Sequence, residues 1–413
     1  MQSASTGAIA GELTVIGGFY REYCRFPWSD EFWGSGGRAS AAVGELSIPT
    51  KFITTADEHA EPILASIAQT VGFKYSATPV AETIAFRYDH GLSTPIIWPP
   101  LNAIEHVSLR AKGECVLQFG MLEADVEAEG QIVIYDPQEP FSPKHFRSAT
   151  RPSKLAYVLN RSEAKRLGNS DDVEAAAREI AGYSGADVVI IKRGPQGALV
   201  WEGGRVATVP AYESRSVWPI GSGDVFAAVF AARWGIQGVS AKEAADSASR
   251  ATADYVENRT LPINRSIIEG GASSVPLGLN LKPLATDEYD VYLAGPFFNM
   301  PQLWLVDEAH VSLEALGLKV FSPYHDIGLG TAEDVAPKDI DALEKSRAVF
   351  AILDGVDTGT VFEVGFARAR QKPVVAFAQC TPQEPLKMIS GTGCEVVNDF
   401  VSAIYRVAWA AWG

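Results

Sequence analysis

Glu363 stands in the stretch Gly355-Val356-Asp357-Thr358-Gly359-Thr360-Val361-Phe362-Glu363-Val364-Gly365-Phe366-Ala367, directly after the apolar run Ala348 to Leu353. An apolar strand that ends in a glycine turn and opens a helix marks the carboxyl edge of a sheet, where α/β folds hold ligands. A carboxylate aimed into that crevice can attack the anomeric carbon of a sugar, as in retaining glycosyl transfer. The same residue also reads as an acid near a helix N-terminus, favoured by the macrodipole. Asp357, six residues earlier, supplies a second carboxyl group. Breaking a glycosidic bond builds positive charge on the sugar and leaves a base that needs a proton, so one carboxyl serves beneath the sugar and one at the leaving group. Two neighbouring carboxyls raise at least one pKa, which suits that division.

The elements that must position these groups are legible upstream. Tyr289-Asp290-Val291-Tyr292-Leu293-Ala294-Gly295-Pro296-Phe297-Phe298 reads as a strand running into a Gly-Pro turn. Leu303 to Leu316 reads as a helix, Leu318 to Ser322 as a strand, and Lys338 to Leu343 as part of another helix. With the YLAGPFF and DGVDTGTVFEVGFA motifs in this order, residues 286 to 400 resemble the nucleoside 2-deoxyribosyltransferase family. The resemblance implies Glu363 as nucleophile, Asp357 as the acid that handles the base, Asp339 as sugar-binding aspartate and Tyr292 as the tyrosine that orients the nucleophile. Gly295, Pro296, Phe297 and Gly359 fall at its substrate-binding positions. Read without it, Asp339 and Asp341 are solvated helix charges, Asp354 and Asp357 turn formers, and Tyr292 a core residue. Transferase and hydrolase need the same nucleophile, so the residues leave that choice open.

The first half carries a different pattern. Pro219-Ile220-Gly221-Ser222-Gly223-Asp224 precedes an apolar, small-residue helix. Backbone amides at such a start cradle anionic oxygens, and an aspartate there can accept the proton of an attacking hydroxyl in phosphoryl transfer. A plain capping turn uses the same residues. Residues 10 to 260 resemble the PfkB (ribokinase-like) sugar and nucleoside kinase family: Gly34-Ser35-Gly36-Gly37-Arg38-Ala39 matches its glycine-rich substrate turn and Ile134-Tyr135-Asp136-Pro137 a mid-domain strand end. Leu159-Asn160-Arg161-Ser162-Glu163 matches its N-x-x-E region, and Val189 to Ala198 the strand and turn near the nucleotide. That resemblance implies Asp224 as catalytic base, Gly221, Ser222 and Gly223 as anion hole, and Asn160 with Glu163 as the Mg-associated pair. Lys192 and Gly194 fall near the phosphates, and Gly36, Gly37 and Arg38 near the acceptor, with ATP and Mg2+ as cofactors. Two departures stand out: Trp218-Pro219 replaces Asp-Thr before the glycines, and Arg38 stands where a sugar-contacting asparagine is usual. An arginine suits a phosphate or carboxylate, so an ordinary free sugar is disfavoured and the kinase is either altered or inactive.

The chain has 413 residues, enough for two or three domains. Its net charge of −15 disfavours a nucleic-acid polymer and favours small molecules, here nucleosides or nucleotides. Cys24, Cys115, Cys380 and Cys394 show no metal-ligand spacing and read as free thiols in a reducing compartment. The segment MQSASTGAIAGE lacks the pattern of a secretory signal, and no apolar run is long enough to span a bilayer, so the expected setting is cytoplasmic. The apolar spacing of 400–412 predicts a helix that packs on the sheet or at a subunit contact. The expected organisation is a ribokinase-like α/β domain over 1–265, a linker over 266–286 and a doubly wound, flavodoxin-like parallel-sheet domain over 287–413, in a homo-oligomer. The expected function is cleavage or transfer of the N-glycosidic bond of a (deoxy)nucleoside or nucleotide, joined to an ATP-dependent kinase. The alternative is a nucleotide N-glycohydrolase with a non-catalytic, ligand-binding kinase-like domain, and the glycosyl-transfer chemistry needs no cofactor.

Overall fold

The computed structural model describes residues 11–139, 142–271, 275–282, 284–286 and 288–413. The opening segment 1–10 and part of the expected linker, 272–274 and 283, lie outside the described residues. The chain divides into two compact units, Met1–Ser214 with Trp218–Pro276 and Arg215–Val217 with Leu277–Gly413.

The first unit opens with β1 (Leu13–Ile16), β2 (Arg21–Phe26), β3 (Ser29–Phe32), α1 (Gly34–Ala42), β4 (Thr50–Ala56), α2 (Ala60–Val71), β5 (Lys74–Pro79), β6 (Ala85–His90) and β7 (Ile96–Trp98). It continues with β8 (Val107–Phe119), β9 (Ala124–Asp136), β10 (Lys154–Asn160), α3 (Arg161–Gly168), α4 (Val173–Ser184), β11 (Val188–Lys192), β12 (Ala198–Glu202) and β13 (Arg205–Val209). It closes with α5 (Ser222–Phe230), α6 (Ala241–Asn258) and α7 (Arg265–Ile268). A nine-stranded sheet runs β13-β12-β11-β10-β9-β8-β1-β4-β5, and a four-stranded sheet runs β3-β2-β6-β7. β1 is buried at every position, the continuous apolar run that a strand covered on both faces requires. One core joins that sheet to α1, α2, α5 and α6, and a second lies beneath α3 and α4.

Val107 lies opposite Ala124 and Phe119 opposite Asp136 in a parallel ladder, yet only residues 120–123 separate the two strands. Straight parallel strands of that length would need a far longer crossover. The pair therefore coils. Residues 115–118 and 132–135 pair within the main sheet; 107–113 leads into the first of these segments, and 124–130, paired with it, is the strand-built part of the connection to the second. Leu109, Ala111, Ala124 and Ala128 of these arms are buried in the same core as Ala176 and Ile180 of α4, so the arms take the covering role a helix has elsewhere.

The glycine-rich segment expected as a turn is mostly helix. Only Gly34, with φ +58°, turns the chain, and Gly36 and Gly37 are helical positions of α1 whose missing Cβ atoms make room for Phe52 and Phe19. Arg265–Ile268, at the start of the expected linker, is helical, and Ile268 is buried in the first unit's core.

The second unit comprises β14 (Tyr289–Ala294), α8 (Met300–Ala315), β15 (Val320–Phe321), α9 (Ala332–Lys345), β16 (Ser346–Ile352), α10 (Thr358–Ala369), β17 (Val374–Phe377), α11 (Gln383–Gly391), β18 (Glu395–Val397) and α12 (Phe400–Trp412). Its five strands are all parallel in the order β15-β14-β16-β17-β18. Numbered within the unit this is 2-1-3-4-5, the flavodoxin-like arrangement, whose topological switch point lies between β14 and β16. β15 pairs through two residues because it is the edge strand, bonded only to β14. α12 packs on its own unit's sheet through Val401, Ile404, Val407 and Ala408.

Candidate active site

At that switch point β14 carries Tyr292, and α10, which follows β16, carries Glu363. Tyr292 is fully buried, with its ring stacked on Phe321, and its hydroxyl donates to Glu363 Oε1 at 2.5 Å. Side chains on a helix lean toward its N-terminus, so Glu363 reaches over the preceding turn, where Gly359 presents no side chain. Burial pushes the Glu363 carboxyl up to about 7; Tyr292 lowers it, and the charges of Asp339 and Asp357 raise it further. Burial, then Glu363, hold the Tyr292 phenol far above its ordinary range, so it keeps its proton and acts as a donor. Asp339 on α9 is pushed by desolvation to about 6, and its Oδ1 is buried without a partner. No cation contributes to either carboxyl's shift. Two half-buried acids thus carry upward shifts with no cation against them, and Glu363 is poised between its two protonation states at neutral pH.

Asp357 is the N-cap of α10: its Oδ2 accepts from the Thr360 backbone N–H at 2.8 Å and from Thr360 Oγ1 at 3.0 Å. Asp354 clamps the backbone N–H groups of Gln379, Cys380 and Thr381, so it is fully committed to structure. Gly295 lets the end of β14 lie against Ile352 and Val306; Pro296 is buried, and Phe297 packs on Phe298 and Tyr324.

In the first unit Asp224 lies in the first turn of α5, behind Gly221 with φ +79°. Its Oδ2 accepts from Arg38 Nη1 at 2.8 Å and its Oδ1 from Gln138 Nε2 at 2.7 Å. Arg38, on α1 and 1% exposed, also pairs with Glu22 of β2 and lies over the Tyr255 ring. Burial works against its charge, yet Glu22, Tyr255 and Asp224 outweigh it and hold the guanidinium's pKa well above its ordinary value. Lys192, ending β11, pairs with Asp136 at 2.6 Å, and a Cβ on Gly223 would lie 3.1 Å from its Nζ. Asn160 and Glu163 close a capping box on α3: the Asn160 side chain accepts from the Glu163 N–H, and Glu163 Oε2 from the Asn160 N–H. Gly194 turns the chain after Lys192 with φ +56°, and Ser222 donates its N–H to the Pro219 carbonyl.

The nucleoside 2-deoxyribosyltransferase family model matches residues 291–398, and the pfkB family carbohydrate kinase model matches residues 127–260. The chain joins a PfkB kinase domain to a nucleoside 2-deoxyribosyltransferase domain. Both are enzyme families, and the PfkB fold in general implies nucleotide- and metal-dependent phosphoryl transfer. Solved structures similar to the PfkB portion include a pyrophosphate-dependent kinase of the ribokinase family complexed with a pyrophosphate analogue and myo-inositol (15% identity, 62% of this chain and 99% of that one, TM-score 0.46). Ribokinases from Thermotoga maritima (16%, 63% and 99%, TM-score 0.44) and Giardia lamblia (15%, 63% and 98%, TM-score 0.47) are also similar. No curated protein matches the sequence. Among the described residues no helix is long and apolar enough to cross a membrane.

In the PfkB domain the residues expected at metal and phosphate do not fit Mg2+ as free ligands. Asn160 and Glu163 satisfy each other in the capping box, and an ammonium already covers Asp136. Among the described residues no group of three His, Cys, Asp or Glu side chains could hold a metal ion. The sequence reading missed Glu22 and Gln138, the partners that immobilise Arg38 and Asp224. Glu22 comes from a segment without a motif and Gln138 follows directly on Ile134–Pro137, and only the tertiary fold brings them to Arg38 and Asp224.

Proposed function

We propose that the deoxyribosyltransferase domain cleaves or transfers the N-glycosidic bond of a (deoxy)nucleoside or nucleotide, with Glu363 as nucleophile. The Tyr292–Glu363 hydrogen bond at the switch point carries this reading: it fixes one carboxylate oxygen and leaves the other for the sugar. A Glu363 oxygen bonds to C1′ as the electron pair of the C1′–N bond departs with the base, which takes up a proton from a neighbouring carboxyl group. Water or a second base then attacks C1′ and frees Glu363. Asp339, with its unpartnered Oδ1, is placed to take a sugar hydroxyl. Asp357 has one oxygen committed to the helix cap and serves the base with the other.

Small-molecule nucleosides or nucleotides are the proposed partners. A homo-oligomer is proposed for the assembly, supported by the exposure of Phe298, Met300, Trp304 and Phe362 on the elements that carry the site. The deciding experiment incubates the full chain with a nucleoside and nucleotide panel, with and without an acceptor base, and follows base release by chromatography. Wild type should release base and trap a glycosyl adduct on the peptide containing Glu363. Base release by Glu363→Gln at the wild-type rate would defeat the assignment.

A further inference from the structure

The kinase domain's expected base is already engaged by side chains of its own domain. An acceptor hydroxyl must come within hydrogen-bond reach of the base that takes its proton. Both Asp224 oxygens are already met, by Arg38 and by Gln138, and the residue is 7% exposed. Arg38 is more deeply buried still, and it is held from four directions: Glu22 on β2, Asp224 on α5, the Tyr255 ring on α6 and the backbone of Gly221. A Cβ on Gly221 would overlap the guanidinium, with Nε at 2.1 Å, and Nε itself has no hydrogen-bond partner. The guanidinium is therefore wedged against the glycine turn that would have to face the transferred phosphoryl group. Beside it Lys192 meets Asp136, so a second fixed cation stands where a kinase needs carboxylates free for metal.

We propose that Arg38 is a built-in plug: by occupying the acceptor side of the glycine turn and pairing with Asp224 and Glu22, it keeps the PfkB domain from transferring a phosphoryl group. The charges close on themselves. Arg38 stands between two carboxylates and Lys192 on a third, so three of the buried acids already have a cation of the chain's own. Glu22 lies on the four-stranded sheet, and the same ion pair ties that sheet down over α1 and α5. Opening the site requires breaking the Arg38–Glu22 and Arg38–Asp224 pairs together, because freeing one leaves the guanidinium lodged by the other.

The full-length protein is tested with ATP and Mg2+ against ribose, adenosine and AMP, with ADP formation and phosphorus NMR as readouts. ADP formation by wild type is expected to equal that of Asp224→Asn. The double variant Arg38→Asn/Glu22→Gln, which removes the plug and one of its two countercharges and leaves Asp224 as the base, is expected to raise it at least tenfold in an Asp224-dependent way. Asp224-dependent phosphorylation of any acceptor by wild type, the anionic AMP included, would overturn the proposal, as would a folded double variant that stays at the Asp224→Asn level. If the double variant does not fold, the side-chain nitrogen NMR signals of Arg38 in the wild type decide. They are expected to stay in place under saturating Mg·ATP and ribose, and their displacement refutes the plug.

Discussion

Replacing Tyr292 by Phe removes one atom, the hydroxyl that donates to Glu363 at 2.5 Å, and leaves the ring on Phe321. A hydrogen bond to a charged partner contributes about 1.5–3 kcal/mol. Because that bond favours the ionised carboxylate, its loss raises the Glu363 pKa by about 1–2 units at 1.36 kcal/mol per unit. The wild-type value of about 7 leaves roughly half of the carboxyl ionised at neutral pH. In the variant the nucleophilic form falls to between a tenth and a hundredth, so base release at pH 7 drops about five- to fifty-fold. At pH 9.5 ionisation is nearly restored and the deficit shrinks to less than about 1.5-fold. The assay is kcat/KM for base release from pH 5 to 10, wild type against Tyr292→Phe. A uniform loss with the acid limb unmoved would show that the hydroxyl does not set the ionisation of Glu363, and the reasoning from burial and hydrogen bonding would fail.

Three further outcomes follow from the same geometry. Since burial raises the folded-state pKa of Glu363 from 4.5 to about 7, its contribution to stability is full below pH 4.5 and is lost as pH rises through 7. Chemical denaturation of the full chain should show ~2–3 kcal/mol of that loss disappearing in Glu363→Gln. Asp357→Asn keeps a capping side chain, so stability should hold within about 0.5 kcal/mol. If Asp357 also serves the base, activity should fall ~100-fold or more, and an unchanged rate would reduce it to a cap. Lys192→Met leaves Asp136, 1% exposed, without its cation, and should destabilise the PfkB domain by ~3–5 kcal/mol in urea unfolding, with base release by the other domain unaffected.

The fold was legible wherever apolar runs, glycine turns and helix starts coincided. Tyr289–Ala294 and Ser346–Ile352 are nearly continuous apolar strands, and the Gly295 and Gly355 turns that end them mark the switch point before any coordinates are seen. Tyr292 and Glu363 are 71 residues apart, and it is the family resemblance, not the local pattern, that pairs them in the sequence. The strand-built connection within 107–136 could not be anticipated. Its arms alternate as any half-buried strand does, and nothing local says that the chain coils back on itself. The Gly34–Ala39 segment misled for a related reason: glycines that read as a turn are in α1 a means of bringing Phe19 and Phe52 close to a helix. Arg38 was read as suited to a phosphate or carboxylate of the acceptor, and sequence offers no way to see that it meets the chain's own Glu22 and Asp224.

Comparing the two domains turns on where buried charge is left unsettled. In the deoxyribosyltransferase domain Glu363 and Asp339 are shifted upward by burial with no cation to relieve them, an arrangement that costs stability and agrees with the proposal that a substrate's developing positive charge settles it. In the PfkB domain Arg38 meets Glu22 and Asp224 and Lys192 meets Asp136, yet burial still raises Glu22, Asp136 and Glu163, the last to about 7, so the difference from the other domain lies in the cations present and not in a complete settling of the acids. Removing Arg38 or Lys192 there leaves a buried carboxylate without its cation and should destabilise the domain, whereas Glu363→Gln removes an unfavourable charge and should stabilise its own domain above pH 7. The opposite signs of these two responses separate a site waiting for a ligand from one already filled by its own side chains.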